Sequence, residues 1–392
     1  MLGDFRPIAV AAGLFLALMA CEPAAAADAA KPAPARTGAV VLADGAKLYY
    51  EECGAGAGVN VVLLHDGLLH AVTWDEVWAP LCARYHVVRY DRRGYGRSDP
   101  AHAPFSPEDD LLQVLRHVGM ERAIVVGNSS GAGLALDFAL ARPAMVEGLL
   151  LVGPVVHGMP SSTYFLERGA RANAPLANQD VKAAAENWSR DAYLVAGAAP
   201  EARRRIYDAL TQSPQNLTTG GQFEVRPAPP TVRRLSQIAA PTVVVVGDAD
   251  IADVTAYAGA ILAALPIVTF EVWKGAGHMI QLERPAEIVD RLDRFAPLAA
   301  RPEAHVDLAA LRAYAGRYRY GDRSIAISLA AGRLQLALPD FPDKPLFAAS
   351  PSRFFVRTTG TEFEFQKDAA GKVVQMVIHN AGGGPPINCA RL

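Results

Sequence analysis

A chain of 392 residues that is 51% hydrophobic and 20% charged is globular in composition and long enough to bury more than one core. A formal net charge of −2 gives no basic surface for nucleic acid or for an anionic membrane. The four cysteines, Cys21, Cys53, Cys82 and Cys389, show no paired metal-ligand spacing and are too few for a disulfide framework.

Residues 1–20 read as an export signal. Arg6 is the one positive charge ahead of an apolar run from Ile8 to Ala20, too short to span a bilayer. Two endings compete: the alanines at 24–27 offer signal cleavage, and Leu18-Met19-Ala20-Cys21 offers a lipobox that would make Cys21 the membrane anchor. Residues 21–36, rich in Ala and Pro, read as a linker. Export implies a periplasmic or extracellular, oxidising location, where Cys53 and Cys82 pair if the fold brings them close.

From residue 37 to 156 strands and helices alternate. Val40–Leu42 and Lys47–Tyr50 flank an Asp44-Gly45 turn and read as a hairpin. Asn60–Leu64 is a short apolar strand of the parallel-sheet kind, followed by His65-Asp66-Gly67. Trp74–Tyr85 has helical spacing, and His86–Tyr90 is a strand that runs into Asp91-Arg92-Arg93-Gly94-Tyr95-Gly96-Arg97-Ser98. Ser106-Pro107 marks a helix start, a cap followed by Pro at the first helical position. Ile124–Val126 is a β-branched strand, and Val146–Val152 another. Such alternation predicts a doubly wound, mostly parallel α/β sheet. Residues 157–234 break the pattern. Helical spacing over Val181–Leu194 and Glu201–Thr211, without a strong strand, reads as a helical cap. Residues 235–298 resume the α/β pattern with strands Thr242–Val246 and Val268–Trp273 and helices Tyr257–Leu265 and Pro285–Phe295. Residues 305–392 carry short strand-like runs punctuated by turn residues and predict an antiparallel module, a small barrel or closed sheet.

The chemistry centres on Gly127-Asn128-Ser129-Ser130-Gly131. A strand, G-x-S-x-G and an apolar helical pattern form the context of a nucleophile elbow, with Ser129 lifted above the sheet edge at a helix N-terminus. Ser130 is the rival, but its neighbours two away, Asn128 and Ala132, fit the motif less well. Asp250 follows one later strand and His278 the next, so three candidate residues sit at the sheet edge where open α/β sheets hold ligands. A serine hydroxyl needs a base to take its proton, a histidine titrates near neutrality, and a carboxylate fixes that histidine's tautomer. Asp248 and Asp253 lie close enough to compete for the third role. The oxyanion needs two preset N–H donors, expected from Ser130 and Gly67. His70 and Trp188 are candidates for substrate contact, each with a core reading beside it. Arg92, Arg93 and Arg97 read as structural ion pairs rather than as attractors of an acidic substrate.

On these motifs, taken with Gly247-Asp-Ala-Asp250 and Gly275-Ala-Gly-His278, the chain resembles the α/β-hydrolase superfamily from about Gly38 to Pro297. It is most similar to enol-lactonases, small carboxylesterases and carbon–carbon bond hydrolases with a helical cap. The resemblance implies a serine hydrolase acting on a small-molecule ester or lactone, without metal or organic cofactor. A carbon–carbon bond or thioester hydrolase would use the same triad, and a silent binding module would keep the fold. Two departures stand out: Asp66 replaces the usual Gly of the oxyanion loop, and Asn128 replaces the usual His before the nucleophile. A serine nucleophile argues against epoxide hydrolases and haloalkane dehalogenases. The last module, through Leu311–Tyr318, resembles a domain found behind some penicillin-binding-protein-like serine hydrolases.

Overall fold

The computed structural model describes residues 35–54, 58–197, 199–337 and 343–392. The expected export signal, Cys21 and nearly all of the linker lie outside the described residues. The first half runs β1 (Arg36–Val41), β2 (Lys47–Cys53), β3 (Asn60–Leu64), α1 (Asp75–Cys82), β4 (His86–Tyr90), α2 (Pro107–His117), β5 (Ala123–Asn128), α3 (Ser130–Ala141) and β6 (Val146–Val152). Local chemistry sets several of these boundaries. Gly45 takes φ 86° in the turn between β1 and β2, as Asp-Gly demands. Ser106 caps α2, its Oγ accepting the Asp109 N–H at 3.1 Å, with Pro107 opening the helix.

The cap contains α4 (Thr163–Asn173), α5 (Val181–Ser189), α6 (Pro200–Gln212) and the short α7 (Gln215–Thr218). The sequence predicts α5 and α6 but not α4. In that helix just Arg168 and Ala172 are buried and Phe165 half-buried, while Tyr164 and Leu166 are exposed, so its apolar residues do not mark the inward face. The chain then returns through β7 (Thr242–Gly247), α8 (Ala252–Ala264), β8 (Val268–Trp273), α9 (Ile280–Glu283) and α10 (Pro285–Ala299).

The eight strands lie in the order β1-β2-β4-β3-β5-β6-β7-β8, with β3 to β8 pairing in parallel and β1 and β2 antiparallel. β5 and β7 are buried at all six positions. Their side chains alternate between two cores: Val125 and Val244 face one, Ile124, Val126, Val243 and Val245 the other. Helices cover both faces, which is why these strands read as unbroken apolar runs. Each such side chain contributes about 1.5–3 kcal/mol by burial, so the centre of the sheet is a rigid base for the loops at its edge.

Cys53, ending β2, and Cys82, ending α1, form a disulfide with Cα atoms 5.4 Å apart at a sequence separation of 29. A closed loop of this size stabilises a fold by about 3–4 kcal/mol through the unfolded chain. The double variant Cys53→Ser/Cys82→Ser is therefore expected to unfold at clearly lower urea than the oxidised wild type. An unchanged midpoint would show that the crosslink contributes nothing.

The C-terminal module opens with α11 (Leu308–Tyr314). It continues with β9 (Gly316–Tyr320), β10 (Arg323–Ala330), β11 (Arg333–Ala337), β12 (Lys344–Pro345), β13 (Phe347–Ala348), β14 (Arg353–Phe355), β15 (Glu362–Lys367), β16 (Val373–His379) and β17 (Ile387–Ala390). Here the structure corrects the expectation of a closed barrel. The strands form two open antiparallel sheets, β12-β11-β10-β9 and β13-β14-β15-β16-β17. β9 and the end of the chain after β17 meet at an isolated bridge, Tyr318 to Arg391, instead of a ladder. At the other junction β12 and β13 are two residues each, and Pro345 has no N–H to extend pairing. Apolar alternation specifies which face is buried, not which edges join. The module contacts the α/β layer at the start of β8 and the end of α10. Thr358 Oγ1 accepts from Thr269 at 2.7 Å, and Arg357 Nη1 donates to the carbonyls of Leu298, Ala299 and Arg301. That is the end of β8 away from His278.

Candidate active site

The parallel register brings the ends of β5, β6, β7 and β8 to one edge. Ser129 follows β5 with φ 55° and ψ −119°, a conformation that costs a non-glycine residue about 1–3 kcal/mol. The turn is held by close packing of backbone. A Cβ on Gly127 would lie 2.5 Å from the Gly131 carbonyl oxygen, and one on Gly131 would run into the carbonyls of Leu64 and His65. The Ser129 N–H bonds the Val152 carbonyl at 3.0 Å, placing the elbow beside the end of β6.

Gly153, just after β6, is the point where the candidate residues converge. It has φ 50°, and a Cβ there would lie 2.9 Å from His278 Nδ1 and 3.3 Å from Asp250 Oδ2. Asp250 Oδ2 itself is 2.8 Å from His278 Nδ1, and Asp250 Oδ1 accepts the Ile251 N–H at 2.7 Å. The pair is almost dry: the Asp250 side chain is 0% exposed and that of His278 11%. Burial would lower the pKa of His278, but the charge of Asp250 and its hydrogen bond outweigh this and raise it. The rival carboxylates are otherwise engaged. Asp248 accepts the Gly275 N–H at 2.5 Å, and Asp253 accepts from the Ser162 N–H and hydroxyl at 2.6 and 2.8 Å.

Asn128 takes up the space of the usual histidine with a definite set of bonds. Its Nδ2 donates to the carbonyls of Val152 at 3.0 Å and His278 at 3.1 Å, while its Oδ1 accepts from Gln281 Nε2 at 3.1 Å. The elbow strand is thereby tied to the backbone of His278. From the other side the cap holds the same loop: the His278 N–H bonds the Tyr193 carbonyl at 2.8 Å, and Met279 bonds Leu194 at 2.9 Å. Glu283 bridges the two, accepting from the Gly277 N–H at 2.7 Å and the Ala196 N–H at 2.6 Å. Sequence reasoning missed Glu283 and Gln281. The one available signal was a polar residue, Asn128, ending an otherwise apolar strand.

The expected oxyanion donors are neighbours. A Cβ on Gly67 would lie 3.1 Å from Ser130 Oγ, so the loop after β3 rests against the first residue of α3. The Ser130 N–H belongs to the first turn of that helix, whose donors have no intrahelical acceptor. His70 and Trp188 are held elsewhere. His70 Nδ1 accepts from Asn216 of the cap at 3.1 Å, and Trp188 Nε1 donates to Asn173 at 2.7 Å. Neither joins the Asp250–His278 pair through a described hydrogen bond. Arg93 and Arg97 make the expected ion pairs, Arg93 with Asp110 at 2.9 Å and Arg97 with Glu51 at 2.8 Å. Arg92 does not follow them. Its closest carboxylate is Glu224, at 3.8 Å.

Residues 61–291 match the alpha/beta hydrolase family. The chain belongs to that family. It is a hydrolase by that membership, and its C-terminal module lies beyond the matched span. Among its relatives is 2-hydroxy-6-oxononadienedioate/2-hydroxy-6-oxononatrienedioate hydrolase 2 of Pseudomonas putida, 31% identical over 63% of this chain and 90% of that one. Among solved structures it is similar to Est816, described as an N-acyl homoserine lactone degrading enzyme, with 27% identity, TM-score 0.53 and coverage of 65% of this chain and 99% of that one. A thermophilic esterase from Thermogutta terrifontis shares the fold at 21% identity and TM-score 0.57, covering 67% of this alpha/beta hydrolase and 99% of the esterase.

Proposed function

We propose that this alpha/beta hydrolase cleaves a carboxylic ester or lactone through an acyl-enzyme on Ser129. The observation that carries the reading is the 2.8 Å Asp250–His278 hydrogen bond at the sheet edge that also presents the strained Ser129. With Nδ1 bound to Asp250, His278 Nε2 is the atom left to take the Ser129 proton as the hydroxyl oxygen attacks the substrate carbonyl. Asp250 stabilises the imidazolium that results. The N–H groups of Gly67 and Ser130 receive the tetrahedral oxyanion. His278 then gives its proton to the leaving alkoxide, and a water activated by His278 releases the acid. The resemblance to Est816 supports a lactone or ester as substrate. The Pseudomonas putida relative supports a second reading, hydrolysis of a carbon–carbon bond on the same triad.

A panel of short p-nitrophenyl esters, acyl homoserine lactones and a 2-hydroxy-6-oxo-dienoate separates the two. Turnover of esters or lactones supports the first reading; turnover confined to the dienoate replaces it with the second. The Cys53–Cys82 bond supports an exported protein in an oxidising compartment. The contact at Gly153 gives a further expectation. Gly153→Ala should lower kcat about 10- to 100-fold by pushing the His278 ring out of line, with the thermal midpoint falling by just a few degrees. A kcat within twofold of wild type would contradict this placement of His278.

A further inference from the structure

We propose that Arg92 is a positioning residue for the oxyanion hole, clamping the Gly67 peptide to Ser130. The inference rests on the triad reading above. The two donors that reading needs come from different segments, Gly67 in the loop after β3 and Ser130 at the start of α3. Their separation is therefore set by whatever ties those segments together. Arg92, on a third loop after β4, reaches both: its Nη2 lies 2.9 Å from Ser130 Oγ and 3.2 Å from the Asp66 carbonyl oxygen.

The Asp66 carbonyl belongs to the same peptide unit as the Gly67 N–H. It accepts a second bond, from His65 Nδ1 at 2.7 Å. The tautomer of His65 follows from its other partner, because Nε2 accepts the Arg92 backbone N–H at 2.9 Å and so carries no proton. Burial, helped by the Arg92 charge, holds His65 neutral. Two donors on one carbonyl fix the plane of that peptide and polarise its N–H, the atom pair aimed at the oxyanion.

Arg92 is also unlike an ordinary structural arginine. It is 4% exposed, and its Nε is buried without a hydrogen-bond partner among the described residues. Glu224, at 3.8 Å, is shared with Arg226, which approaches it to 2.9 Å. A buried cation held without a tight carboxylate is costly to the fold. Its place against both halves of the oxyanion hole gives that cost a use, since it sets a positive charge near developing negative charge. Asp66, which stands where the resemblance leads one to expect Gly, adds to the demand: its Oδ2 is buried without a partner on the same loop.

The test compares wild type, Arg92→Met and Arg92→Lys on the best ester or lactone of the panel, with the rate of fluorophosphonate labelling at Ser129 measured beside it. Arg92→Met is expected to lower kcat about 10- to 100-fold with KM within threefold, and to slow labelling by a similar factor while labelling still goes to completion. Complete labelling shows that the site is folded. Arg92→Lys should recover part of the loss. If wild type labels and turns over but Arg92→Met keeps kcat within twofold, or loses only KM, the clamp is overturned and the triad reading stands. A wild type that does not label at Ser129 overturns the triad reading and the clamp with it. Should Arg92→Met fail to fold, Ser130→Ala removes the hydroxyl grip while keeping the backbone N–H. It should lower kcat severalfold, and an unchanged kcat overturns the clamp.

Discussion

Ser129→Ala is expected to lower kcat by roughly 10⁴- to 10⁶-fold, the scale on which removal of a triad nucleophile acts. The size follows from what remains. On the proposed mechanism the Asp250–His278 pair and the N–H groups near Gly67 and Ser130 would still bind and polarise a substrate, but the hydroxyl assigned to form the acyl intermediate is gone. The fold should hardly change. Alanine has the same Cβ as serine, and the turn is fixed by the backbone contacts of Gly127 and Gly131 rather than by the hydroxyl. A melting temperature near that of wild type, together with lost turnover, is therefore the expected pair of results. Ser130→Ala, one residue away, should cost severalfold at most. If Ser129→Ala retained more than a tenth of wild-type kcat, the elbow would not be the seat of the nucleophile.

Asp250→Asn should lower kcat by about 10⁴-fold without a comparable loss of stability. Asparagine fits the same space, but its amide offers His278 Nδ1 an N–H where the carboxylate offered an acceptor. The imidazole is then driven to the tautomer with its proton on Nε2, the atom that must be free to act as base. The pH profile carries a second signature. As the proposed base, His278 must be neutral to accept the Ser129 proton, so kcat/KM is expected to fall as pH drops through its pKa. In wild type burial pulls that pKa down, and Asp250 more than restores it, leaving it above the ordinary histidine value of about 6.5. Removing the carboxylate charge should shift the acidic limb of the residual activity to lower pH. An acidic limb at the same pH in Asp250→Asn would show that Asp250 does not face the titrating base.

The parts of the candidate site whose placement could be read in the sequence are those fixed by the order of strands. Ser129, Asp250 and His278 each follow a strand end, and a parallel sheet brings such ends together whatever the loops contain. The parts that could not be read depend on contacts across loops. Asn128 shows as a departure from a motif, yet its bonds to Val152, His278 and Gln281 exist because the end of β5 passes beside the loop after β8. Arg92 shows as one of three arginines in a row of turn residues. That Arg93 and Arg97 find carboxylates while Arg92 turns inward toward Ser130 is set by packing, which spacing does not encode. The cap helix α4 escapes for a related reason, since exposed Tyr164 and Leu166 share it with the inward-facing Phe165 and Ala172, and only packing tells the two sets apart. The open sheets of the last module teach the same lesson at larger scale. Alternation of apolar or aromatic with polar residues marks β9 to β11 and β14 to β16, whereas closure turns on the short β12 and β13, where pattern has least to say.

The measurement that bears most directly on the account is labelling of the wild-type protein with a fluorophosphonate, followed by peptide mapping. The account predicts one adduct per chain, on Ser129, formed faster as pH rises through the His278 pKa and abolished in Ser129→Ala. Labelling of Ser130, or no labelling of a folded protein that still hydrolyses its substrate, would contradict an acyl-enzyme on Ser129.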